Sequence, residues 1–375
     1  MKRWVVFSAA FLCISSLILW RRAPVSVPVA LLFDGQDTAG AVVSRQALQS
    51  VVLAMEYFNS RSSSRKFHLV FLRETDPSSA LRTAAEMKVS AVVGGISVPS
   101  PSILSQASNR FGTAVISLAP GSFLAKADDL VFRPRPGTGG RILGAEAKQR
   151  GMTSYSVIVS GFESGYTQEF IRDFEAGAGG PPRRTMVFSG DLNKQIEDFG
   201  RIASGMDAML LVLPDWPASI ALRELRLRTP GLAVYASNRA VSHRTPLLAG
   251  DIGEGLITSA VLPREWFLEG RGFPGFVADT YGEHIPAITL SIGYDAVAML
   301  DAALDRAGTT DPGAVARALA ELERVESSAG PAALGAGGDL SLPQGIFSLT
   351  KKGWIPVSRS SSPPPSSVTP GKASR

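Results

Sequence analysis

The sequence predicts an α/β protein built as two doubly wound lobes, and three observations carry that reading. Short apolar runs alternate with amphipathic stretches along most of the chain, as parallel strands do when helices cover both faces of their sheet. The alternation pauses at a Gly-rich segment near 134–140 and then starts again. The chain has 375 residues and is 45% hydrophobic, enough for two domains of ordinary size, each with its own core.

The elements follow in order. PVALLF (28–33) is a short apolar run suited to a buried parallel strand. Val43, Ala47, Leu48, Val51, Val52, Met55 and Phe58 fall at three- and four-residue steps, which makes one face of a helix. FHLVFL (67–72) reads as a strand, 80–87 as a helix, SAVVGG (90–95) as a strand, 103–110 as a helix and TAVISL (113–118) as a strand. After LVFRP (130–134) the series resumes with a helix over 141–150, the strand SYSVIVS (154–160), and a helix over 166–175. TMVFSG, a helix near 196–204, AMLLVL (208–213), a helix over 217–228 and LAVYAS (232–237) continue it. Helices are expected over 274–282, 287–307 and 311–324, and GIFSLT (345–350) with GWIPV (353–357) reads as a terminal hairpin.

The net charge of +5 belongs to the chain ends. Residues 1–28 carry Lys2, Arg3, Arg21 and Arg22 and no acid, and 359–375 carry Arg359, Lys372 and Arg375 and no acid. The body between them is slightly acidic, so no basic surface for nucleic acid is expected. The apolar stretch Trp4–Trp20 between basic pairs reads as a secretory signal or a retained anchor, implying export and, if uncleaved, membrane contact. The 359–375 end is Ser/Pro-rich and reads as a disordered tail.

Motifs for chemistry are missing. Cys13 is the one cysteine, and His68, His243 and His284 stand at no metal spacing, so neither a disulfide nor a metal is expected. GFESGY (161–166) lacks the spacing of a nucleophile elbow. PGTGGR (136–141) has Ile142 where a dinucleotide loop needs its third glycine, and reads instead as a flexible crossover. No phosphate-binding GxxxxGK[ST] loop and no paired acids appear, so no cofactor and no enzymatic activity are expected. What remains is the open-sheet rule, by which ligands sit outside the carboxyl ends of parallel strands. Those positions hold ISVPSPS (96–102), APGS (119–122), GFESGY (161–166), PDW (214–216) and Ser237–Asn238.

The order of these segments resembles the type I periplasmic binding proteins of the branched-chain amino acid (Leu/Ile/Val-binding) group. VALLFDGQDTAG with the helix ending MEYFN, SAVVGGISVPS…FGTAVISLAPGS, LVFRPRPGTGG and YTQEFIRDF carry the likeness, followed by AGDIGEGLITSAVLP, FVADTYGEHIPA and SIGYDAVAMLDAALDRAG. The resemblance runs from about 28 to 358. It implies two Rossmann-like lobes joined by three crossovers: 28–136 with 262–342 as lobe 1, 137–261 with 343–358 as lobe 2, and 1–27 as the leader. It implies a ligand held by Ser97 and Val98 after the third strand and by Ala119 and Gly121 after the fourth, with Val98 and Gly121 standing where the family has hydroxyls. In lobe 2 it implies Tyr166 as the family's aromatic and Asn238 where the family has an acid for the ligand ammonium. Trp216 joins this set from the PDW loop, Val43 falls near the aromatic of the opening loop, and Asp215 is an alternative acid.

Two functions compete. The first is an extracytoplasmic solute-binding protein that closes on a small, amino acid-like ligand and delivers it to an ABC permease. The second is a membrane-anchored sensor or accessory protein with the same clamshell and a degenerate cleft.

Overall fold

Burial on both faces is what makes strands of the apolar runs. The computed structural model describes residues 24–33, 41–73, 76–95, 101–119, 129–134, 137–160, 164–188, 192–242, 244–261, 272–282, 287–335, 337–351 and 353–357. The expected leader segment 4–20 and the 359–375 tail lie outside them. In the first lobe β1 (Val25–Phe33), β2 (Arg65–Arg73), β3 (Ala91–Gly94), β4 (Val115–Ser117) and β5 (Val131–Phe132) form a parallel sheet in the order β2-β1-β3-β4-β5. The helices α1 (Ala41–Arg61), α2 (Pro77–Glu86) and α3 (Pro101–Phe111) connect them. Asp76 sets the start of α2, its carboxylate accepting from the N–H groups of Ser78 and Ser79 at 3.1 and 3.2 Å. β1 begins at Val25, three residues before the apolar run read from the sequence, because Val25 N–H reaches Ser64 O at 2.9 Å.

The second lobe repeats the plan. β6 (Tyr155–Ser160), β7 (Thr185–Phe188), β8 (Ala208–Val212), β9 (Ala233–Ala236) and β10 (Ile257–Val261) alternate with α4 (Gly140–Gln149), α5 (Ser164–Ala178), α6 (Leu192–Ala203), α7 (Asp215–Arg228) and α8 (Arg244–Ala249). The chain then returns to lobe 1 with α9 (Phe273–Tyr281), α10 (Ala287–Ala307) and α11 (Pro312–Ala320). A small antiparallel sheet of β11 (Arg324–Ser327), β12 (Gly330–Leu334) and β13 (Leu340–Ser341) follows. Finally the hairpin β14 (Gln344–Thr350) and β15 (Gly353–Pro356) joins lobe 2, whose sheet runs β15-β14-β10-β9-β8-β6-β7.

Each large sheet separates two cores. In β1, Val27, Val29 and Leu31 pack with α1, α10 and α11, while Ala30 and Leu32 pack with α2 and α3. In β9, Val234 and Ala236 face α7, while Tyr235 lies under α4 and α5. This two-sided burial accounts for the unbroken apolar runs.

Three readings need correction. The helix expected over 311–324 ends at Ala320, because Arg324, Val325, Glu326 and Ser327 alternate exposed and buried and pair with β12. The lobe 2 sheet is not wholly parallel, since β10–β14 and β14–β15 are antiparallel. β10 itself, ITSAV, was absent from the strands read along the sequence; its Thr and Ser are buried with the rest of the strand.

Close contacts inside each lobe flank the points where the chain crosses. Arg133, just past β5, is buried and its guanidinium grips Asp339 through Nε–Oδ1 and Nη2–Oδ2, both 2.5 Å. Arg133 N–H donates to Gly338 O (2.7 Å) and Leu340 N–H donates to Arg133 O (2.9 Å). Gly139 starts α4 at φ +80, and its carbonyl accepts from Ser259 Oγ at 2.8 Å. A Cβ at Gly139 would stand 2.5 Å from that hydroxyl, so glycine is required by both conformation and space. Gly139, in the part of PGTGGR among the described residues, is thus closely packed. The second crossover lies outside the described residues.

Candidate functional site

Parallel strands deliver their following loops to one edge, and in lobe 2 that edge gathers an aromatic ring, an amide and a guanidinium. Tyr166 sits in the first turn of α5, behind β6, and is 5% exposed. Asn238 and Arg239 form a single 3-10 turn directly after β9. The Tyr166 hydroxyl donates to Asn238 Oδ1 at 2.7 Å, across 72 residues of sequence. The Arg239 guanidinium carbon lies 4.2 Å from the Tyr166 ring centroid, a stacking contact of about 0.5–2 kcal/mol depending on its desolvation. Phe170 supports the ring from the next turn of α5 at 5.7 Å. The neighbouring hydroxyls of Thr167 and Ser237 are buried and make no hydrogen bond among the described residues. Such groups are costly in a dry core, and here they flank the cluster.

The other expected residues are placed as follows. Ala119 stands at the C-terminal edge of the lobe 1 sheet, buried, with its N–H donating to Ser117 Oγ at 3.3 Å. Ser97, Val98 and Gly121 lie outside the described residues, as does the Val43 side chain, although that position is helical. Trp216 is in the first turn of α7, half exposed, on the same lobe 2 edge as Tyr166. Asp215 is turned inward: its carboxylate accepts from Ser242 Oγ and from Trp216 N–H, both at 2.8 Å. That carboxylate braces α7 and serves the interior of the lobe. Among the described residues no group of three or more His, Cys, Asp or Glu side chains is placed to hold a metal. No described helix is long and apolar enough to cross a membrane.

Arg239 was missed in the sequence. Its position one residue beyond Asn238, past the end of a strand, was the available signal. Its stacking partner comes from a different loop and is visible only in three dimensions.

Two α/β lobes with three crossovers and a polar loop edge define the fold of the type I periplasmic binding proteins. Among solved structures, a Rhodopseudomonas palustris ABC-transporter solute-binding protein in complex with benzoate matches with TM-score 0.73 at 14% identity, over 88% of this chain and 95% of that one. LivJ of Streptococcus pneumoniae, a branched-chain amino acid substrate-binding protein in complex with isoleucine, matches with TM-score 0.72 at 14% identity, over 88% and 100% of the two chains. The leucine-binding protein LivK of Thermotoga maritima matches with TM-score 0.69 at 18% identity, over 89% and 98%. No family model matches the chain, and no curated protein matches it by sequence.

Proposed function

We propose that this chain is an extracytoplasmic solute-binding protein that closes its lobes on a small carboxylate lacking an ammonium group, and that it serves an ABC permease. The observation that carries the ligand class is the Tyr166–Asn238–Arg239 cluster. Where the resembled family has an acid for a ligand ammonium, this chain has a neutral amide whose oxygen already accepts from Tyr166. The adjoining charge is a cation. An ammonium brought into a closed cleft there would cost several kcal/mol without a carboxylate partner, a cost that a carboxylate lacking an ammonium does not carry. Neighbours of the same fold are in complex with benzoate, 4-hydroxybenzoate and 3,4-dihydroxybenzoic acid as well as with isoleucine, so the fold admits this class.

The test is thermal unfolding of the purified protein against aromatic carboxylates and branched-chain amino acids. A ligand at 100 times its Kd adds about 2.7 kcal/mol to stability. Aromatic carboxylates are expected to raise Tm, and Tyr166→Ala is expected to abolish the rise. A response to leucine or isoleucine alone, or to no member of the panel, overturns the reading.

A further inference from the structure

Lobe 2 carries a second concavity at the opposite end of its strands. A cavity of about 530 Å³ opens there, with Arg150, Met152, Arg226, Leu232, Tyr235 and Ile257 in its lining. Leu232 and Ile257 mark the N-terminal ends of β9 and β10, whereas Asn238 follows the C-terminal end of β9. The length of the parallel strands therefore separates this cavity from the Tyr166 cluster. Its volume is in the range of small-molecule pockets.

Two side chains give it chemistry. Arg226, on α7, donates from Nη1 to the carbonyl oxygens of Ile252 and Glu254. Those contacts hold one edge of the guanidinium. Nε and Nη2 make no hydrogen bond, and no carboxylate lies within ion-pairing distance among the described residues. Burial pushes its pKa down, as expected of a cation removed from water without a counter-charge. A guanidinium held by one edge offers the other as a planar fork for an oxyanion.

Tyr235 is 1% exposed, lines the same cavity, and its hydroxyl has no hydrogen-bond partner among the described residues. Burial raises its pKa, so it remains a neutral donor. Arg150 keeps Nε on Glu146 Oε1 at 2.8 Å, and its Nη groups make no hydrogen bond among the described residues.

Two charged acids also belong to the lining, and each has a protein donor of its own. Asp207 Oδ2 accepts from the N–H and O–H groups of both Thr153 and Ser154. Glu254 Oε1 accepts from Lys351 N–H at 3.3 Å. Met152, Leu232 and Ile257 supply an apolar wall.

We infer that this cavity is a second ligand site, taking a small organic anion with a carboxylate head on the free edge of Arg226 and the Tyr235 hydroxyl, and a flat apolar body against Leu232 and Ile257. The site is independent of the cleft and stands or falls without it.

The probe is benzoate, titrated into purified protein labelled with 15N-arginine, with benzyl alcohol and inorganic phosphate as controls. Arg226→Lys or Arg226→Gln assigns the Arg226 Nε–H resonance by its disappearance. Benzoate is expected to shift that resonance saturably, and benzyl alcohol is not. Tyr235→Phe, which keeps the ring, is expected to weaken the benzoate response about fivefold, the loss of one hydrogen bond. An Arg226 resonance that stays in place overturns the inference. So does one that follows phosphate as strongly as benzoate, or a response that vanishes with Tyr166→Ala, which would place the ligand in the cleft.

Discussion

Gly293 of α10 faces the backbone of α1 so closely that a Cβ would lie 2.1 Å from Ser50 C, 2.2 Å from Ser50 O and 2.3 Å from Val51 N. Carbon contacts settle at about 3.5–4.0 Å, so Gly293→Ala must part the two helices by more than about 1 Å. These helices belong to the principal lobe 1 core, with Val51, Met55, Val297 and Leu300 buried beside the contact. Overpacking of that kind costs about 1–3 kcal/mol or more, against a gain of about 1 kcal/mol from replacing glycine in a helix. The net expectation is a loss of about 2 kcal/mol, read as a fall in Tm of about 4–8 °C for a unit of this size. Gly200 of α6 is the control. A Cβ there meets only Arg228 Cδ, at 3.7 Å, so Gly200→Ala keeps the propensity gain and is expected to stabilise by up to about 1 kcal/mol. Urea and thermal unfolding followed by circular dichroism decide the matter. If Gly293→Ala matches or exceeds the parent in stability, the close approach of α1 and α10 is wrong.

Asp339→Ala leaves the buried Arg133 guanidinium without its bidentate carboxylate, and is expected to cost about 3 kcal/mol, which chemical denaturation measures. Unchanged denaturation would mean that Arg133 does not depend on this ion pair. The four hydrogen bonds to Asp207, led by that from the Thr153 hydroxyl, hold its carboxyl at about 2, against about 3.9 in an unfolded chain. A depressed folded value contributes stability that is present above pH 4 and lost as pH falls toward 2. Asp207→Asn is therefore expected to flatten the stability profile between pH 4 and pH 2, and superimposable profiles would show that these bonds do not favour the charged form.

Much of the fold was legible because the strands are buried on both sides. AVVG of β3 and AMLLV of β8 are wholly buried, the environment that short apolar runs between helical stretches fit. Tyr166 was a candidate through the resemblance, which places the family's aromatic there, and through its loop position after a strand. Arg239, Arg226 and Tyr235 were not: their partners stand on other elements, and nothing in the local pattern distinguishes a stacked or cavity-lining side chain from an ordinary one. Likewise Asp215 read as a spare acid beside the loop edge, while its bonds to Ser242 and Trp216 turn it into the lobe interior.

The order of residues alone determined that parallel strands and covering helices alternate in two series, since periodicity and turn chemistry act over a few neighbours. The tertiary structure decided which distant groups meet. Arg133 finds Asp339 across 206 residues, and Tyr166 finds Asn238 across 72. Such contacts depend on how sheets stack and loops converge, which local preference does not encode.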